Sequence, residues 1–212
     1  MHPLLPASPF PSFSSRPFPL LNSGAPPVTL VGITIRNSLS GPAIVVHGGR
    51  VTIDGCLLEN NPRSALQLLG SNATVDVVGS TLVGNGGLGA DGARRRLQSD
   101  DVDGGAIQVF GGTLSVRHST LTANTGRQGG AVLVDGDEAT VRFEHSTLAN
   151  NSADAGGAIF ARRGMATIAS QTLIIDNTAS VEGQTMVVEP AASVAYALPA
   201  PPGHWIANPI KV

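Results

Sequence analysis

Residues 104–132, GGAIQVFGGTLSVRHSTLTANTGRQGGAV, decide how the rest of the chain is read. They open on Gly104-Gly105-Ala106-Ile107 and close on Gly129-Gly130-Ala131-Val132, and the phrase returns as Gly156-Gly157-Ala158-Ile159. Between the copies, Ser119-Thr120-Leu121-Thr122-Ala123-Asn124 is answered by Ser146-Thr147-Leu148-Ala149-Asn150-Asn151. Self-similarity at a fixed interval of this length marks a solenoid, in which each copy is one turn that buries its apolar face only against its neighbours.

Outward from this stretch the copies continue in both directions. Aligned on their asparagines, Val51, Val75, Leu114 and Val141 share one column and Ile53, Val77, Val116 and Phe143 another, with Thr52, Asp76, Ser115 and Arg142 between them. Apolar–polar–apolar alternation is the period of a strand with one buried face. The copies beginning at Val28 and Met165 need a one-residue slip and are read as irregular end coils. Asn61, Asn85, Asn124, Asn151 and Asn177 form a further column, expected to be a structural ladder at a bend where asparagine adopts left-handed backbone and its amide bonds the next coil. The interval widens only between Asn85 and Asn124, which marks an insertion at 86–103. A second strand follows each glycine pair, as in Ala131-Val132-Leu133-Val134, and the pairs Gly104-Gly105, Gly129-Gly130 and Gly156-Gly157 are read as structural bends that need positive φ. Two or three short strands per turn of about 22 to 27 residues describe an all-β parallel solenoid of about six coils and about 29 Å length. No segment between strands has helical spacing, which excludes a leucine-rich repeat.

Composition agrees. Among 212 residues, hydrophobic side chains are 42% but aromatic ones only 4%, which suits a narrow interior of stacked aliphatics. The formal charge of −2 gives no field for nucleic acid or an anionic membrane surface. One cysteine, Cys56, excludes an internal disulfide and a cysteine zinc site. No run approaches the roughly 18 apolar residues that span a bilayer. Residues 1–26 are rich in Pro and Ser, with prolines breaking every apolar run, and are expected to be a disordered tail without a convincing signal peptide. The β-helix is expected over 27–190, and 191–212 as a C-terminal cap in which Trp205 folds over the open core end, a role preferred to sugar stacking.

The G-G-A-[IV] and L-x-x-N phrases resemble the GGAI and FxxN repeats of chlamydial polymorphic outer-membrane proteins and, more broadly, the right-handed parallel β-helix repeats of the pectin lyase-like superfamily. The resemblance covers roughly residues 28–190 and departs at one point, Leu standing for Phe before x-x-Asn. It implies a right-handed β-helix and, from the chlamydial proteins, display at a cell surface as an adhesin. The superfamily's enzymes imply carboxylates or an arginine on an outer face. This chain has Asp100-Asp101 but none of the N-T-D, G-H-G or R-I-K surroundings that go with hydrolysis in polygalacturonases.

The remaining chemistry is sparse. Arg94-Arg95-Arg96 and Asp100, Asp101 fall in the insertion, where opposite charges compensate one another. Because insertions often form a solenoid's binding face, these five residues are the first candidates for a partner contact. His118 and His145 share a column in adjacent coils and are read as a structural stack rather than a metal site. Asp135-Gly136-Asp137-Glu138 lacks the spacing of a calcium loop and reads as a turn. Asn72-Ala73-Thr74 and Asn150-Asn151-Ser152 match the glycosylation pattern no more often than chance allows. An ice-binding Thr-x-Thr ladder begins at Thr120 and Thr122 but fails at Ala149 and Val83. The sequence therefore favours a non-catalytic surface or extracellular β-helix with an adhesive, structural or glycan-binding role, contacting a glycan or a cell-surface protein without a cofactor. The alternative is a polysaccharide lyase or hydrolase.

Overall fold

The computed structural model describes residues 12–13, 18–20, 26–39, 41–87, 104–169 and 171–196. Within them the regular structure is all β, and the paired strands run parallel, each on its equivalent in the next coil. Most of the strands form three stacks that wrap one interior, and Ser152–Ala155 pairs separately with Thr178–Glu182.

One stack is a seven-stranded sheet: Ser12–Phe13, Thr34–Arg36, Leu57–Glu59, Thr81–Val83, Thr120–Thr122, Thr147–Ala149 and Leu173–Ile175. A second runs from Phe18–Leu20 through Ile44–Val46, Leu66–Leu68 and Ile107–Val109 to Met186–Val188. The third runs from Val28–Val31 through Gly49–Asp54, Ala73–Val78 and Thr113–Arg117 to Ala192–Tyr196. Two long strands, Val132–Glu144 and Ile159–Ile168, pass round the corner between the second and third stacks and join them. Asp135 to Glu138, expected as a turn, lies inside the first of these, at the place where its register against Ile159–Ile168 shifts. Each coil thus contributes to all three stacks.

The columns read from sequence are the columns of the fold. Val51 pairs with Val75, Val75 with Leu114, and Leu114 with Val141. Ile53, Val77, Val116 and Phe143 follow in the same register, and all eight are essentially inaccessible to solvent. Leu58, Leu82, Leu121 and Leu148 complete the interior from the seven-stranded sheet. Burial of one such side chain is worth about 1.5–3 kcal/mol, so the stacked aliphatics are the main stabilising force. Their similar aliphatic shapes from coil to coil let them stack on one another.

Three details differ from the sequence reading. The first coil needs no slip, because Ser38 rather than Asn37 occupies the ladder position: its N–H donates to Asn61 Oδ1 at 3.2 Å, and Val28 and Leu30 then register with Val51 and Ile53. The last coil does slip, through one extra residue in the corner between Ile168 and Leu173. The ladder asparagines themselves are not left-handed; the residues just before them are, at Asn60 (φ 52°), Ala123 (52°), Asn150 (55°) and Asp176 (53°). Two short rungs, Ser12–Phe13 and Phe18–Leu20, also lie inside the stretch expected to be a tail. Pro19 is central in the latter, an edge strand where a missing N–H is tolerated.

Each glycine pair divides its work. The first member, Gly129 or Gly156, takes positive φ (68° and 64°). The second is a close approach: a Cβ on Gly130 would lie 2.2 Å from Gly157 O, and one on Gly105 only 1.7 Å from Gly130 O. Gly104 departs from this, its φ not being positive, and is excluded from a side chain by Leu133 Cβ and Gln108 Cγ, both 2.8 Å from the added atom.

Candidate functional site

The repeated asparagines are directed inward and along the rod. Asn124 Nδ2 donates to Leu82 O on one side (3.0 Å) and to Asn151 Oδ1 on the other (3.0 Å), while its Oδ1 accepts from the backbone N–H and Nδ2 of Asn85. Asn61, Asn85 and Asn151 repeat the pattern, and Asn177 ends it by donating to Leu148 O and Ile175 O. All five are buried, so the ladder satisfies groups that would otherwise be lost to water.

A second ladder escaped the sequence reading. Ser80 Oγ accepts the N–H of Cys56, Ser119 Oγ that of Ser80, and Ser146 Oγ that of Ser119, while each hydroxyl donates to a carbonyl two residues back at 2.8 Å. Its signal was present: the same serine opens Ser80-Thr81-Leu82, Ser119-Thr120-Leu121 and Ser146-Thr147-Leu148. Cys56 holds this position in its own coil, its thiol directed at the carbonyls of Leu30 and Asp54, and burial pushes its pKa up. It is a structural thiol.

On the outside, the two least exposed carboxylates among the described residues are each clamped by two arginines. Asp76, projecting from the third stack, meets Arg50 at 3.0 Å and Arg117 at 3.4 Å. Asp135 is bound by Arg162 and Arg163, and this contact raises the Arg163 pKa. Arg162 also meets Gln128 Oε1 and stands 5.8 Å from the centroid of the Phe160 ring. Glu59 and Glu144 have Arg36 and Arg142 as partners at 3.4 and 3.8 Å. A carboxylate held between two guanidiniums is a poor general base, because its lone pairs are already engaged.

The candidate contact residues Arg94, Arg95, Arg96, Asp100 and Asp101 lie outside the described residues, as does Trp205. The structure does fix where their segment departs. Gly86, at its expected start, still belongs to the coil: its N–H bonds Asn61 O and Arg63 O, and it bridges Thr125 in the next coil. Gly105, on the other side of the segment, donates its N–H to Gly129 O, so both flanks lie between the asparagine ladder and the next strand.

His118 and His145 do stack, with ring centroids 4.9 Å apart and planes at 26°. Both sit at positive φ (50° and 49°), in a corner column that holds Gly32, Gly55 and Gly79 upstream and Gln171 downstream. Among the described residues no group of three or more His, Cys, Asp or Glu is placed to hold a metal ion. No helix long and apolar enough to cross a membrane occurs among them either.

Three parallel stacks, stacked aliphatic columns and an internal asparagine ladder define a β-solenoid. The chain belongs to the right-handed beta helix family, whose region matches residues 20–181. No curated protein and no solved structure matches the chain.

Proposed function

We propose that this β-helix repeat domain is a non-catalytic scaffold of a surface or extracellular protein, which presents its outer faces and the 88–103 segment to a glycan or a cell-surface protein. The observation that carries the reading is the state of its carboxylates. Asp76 and Asp135, the best shielded acids among the described residues, each accept from two arginines. A glycosidase needs two carboxyl groups poised across one bond, one protonated and one free. The repeated asparagines and serines are engaged in the two internal ladders.

Incubation with polygalacturonate, followed by assay of released uronate, tests the reading together with a glycan array. The expected result is no turnover. Turnover abolished by Asp100→Asn with Asp101→Asn, or by Asp76→Asn, would overturn it in favour of a lyase or hydrolase.

A further inference from the structure

The stacked histidines end abruptly. On one side of His145 the column continues with Gln171; on the far side of His118 come Gly79 and Gly55, which have no side chains. A Cβ built on Gly79 would have Asp54 Oδ1 (3.9 Å) and Gly55 N (4.0 Å) as its nearest neighbours, and one on Gly55 would meet nothing within 4 Å. His118, Gly79, Gly55 and Asp54 are all exposed. The result is a shelf. Its wall is the open face of an imidazole, its floor is glycine backbone, and a carboxylate stands on its far rim. The nearby arginines Arg50 and Arg117 are engaged by Asp76, and no described residue bonds the Asp54 carboxylate.

We propose that this shelf binds the guanidinium of an arginine side chain presented by a partner protein or peptide. A planar group stacked on His118 sits about 3.5–4 Å away, just short of the roughly 4.8 Å rise between coils, so it lies level with Gly79. That level is where Asp54 Oδ1 is within reach. Guanidinium is the flat cation that both stacks on an aromatic face and offers a fork of N–H donors to a carboxylate. A lysine ammonium offers charge without the plane, and a neutral ring offers the plane without the charge. The proposal deepens, and rests on, the reading of the rod as a binding scaffold.

The test titrates N-acetyl-arginine amide into the whole chain while the imidazole signals of His118 and His145 are followed by NMR, with N-acetyl-lysine amide and a methyl pyranoside in parallel. The expected result is a saturable shift at His118, in the millimolar range for so small a ligand, about tenfold weaker or absent with the lysine amide. Asp54→Asn removes the carboxylate and should abolish it. Gly79→His fills the shelf with a third imidazole on a backbone conformation that the next two coils already give to histidine, and should abolish it with the fold retained by circular dichroism. No saturable shift, an equal response to lysine, an equal response to the pyranoside, or a response that survives Asp54→Asn would each overturn the assignment. The uronate assay reads a different property, so failure of the shelf and failure of the scaffold reading are separable.

Discussion

Asn124 shows how much one side chain does in this fold. Its amide supplies two donors and an acceptor to four buried partners across three coils. Asn124→Asp keeps the shape and deletes both donors, removing the bond to Leu82 O and setting a carboxylate against Asn151 Oδ1. A loss of about 3 kcal/mol is expected, read from the shift of the urea midpoint at constant m-value. The residue before it offers the opposite experiment. Ala123 holds φ 52° without the help of an amide, where the coils on either side place Gly84 and Asn150. Ala123→Asn relieves this and should raise stability by about 0.5–1 kcal/mol in the same assay, since asparagine tolerates left-handed backbone better than alanine.

At the scale of the element, the serine ladder and its cysteine make the corner between the third stack and the seven-stranded sheet a sealed seam. Burial raises the Cys56 pKa, so the folded thiol stays protonated where an unfolded one ionises. The sign follows. Stability is fully present below the unfolded value of about 8.5 and falls as pH rises beyond it towards the folded value. Iodoacetamide at pH 8.5 should label native Cys56 slowly and the urea-unfolded chain rapidly. Cys56→Ser should abolish the alkaline decline while keeping the seam, because serine already fills this place in three other coils.

The whole rod is stabilised coil on coil, and its middle and its end differ. Leu121 is fully buried between equivalents on both sides, whereas Ile174 in the last described coil is only partly covered. Leu121→Ala should cost about 2–5 kcal/mol and Ile174→Ala roughly half as much or less. Amide hydrogen exchange checks the same gradient without mutation: protection is expected to be greatest at Val116 and Leu121 and lowest along Met186–Val188.

The sequence by itself determined the solenoid, because a repeated apolar column such as Val51-Val75-Leu114-Val141 has one way to be buried, against its own copies. It also determined the asparagine ladder and the histidine stack, which need only the register those columns impose. What the tertiary structure decided depends on atoms from different coils meeting. Ser38, not Asn37, heads the ladder because backbone pairing fixed the register there. Serine and asparagine look alike as bend formers, and only the hydrogen bonds separate a sealed seam from a surface turn. Asp76 and Asp135 read as ordinary outward acids until the arginines of neighbouring coils close on them. The shelf beside His118 needed the structure most. It is defined by one imidazole, two missing side chains and one carboxylate brought together from three successive coils, and a gap of that kind carries no motif.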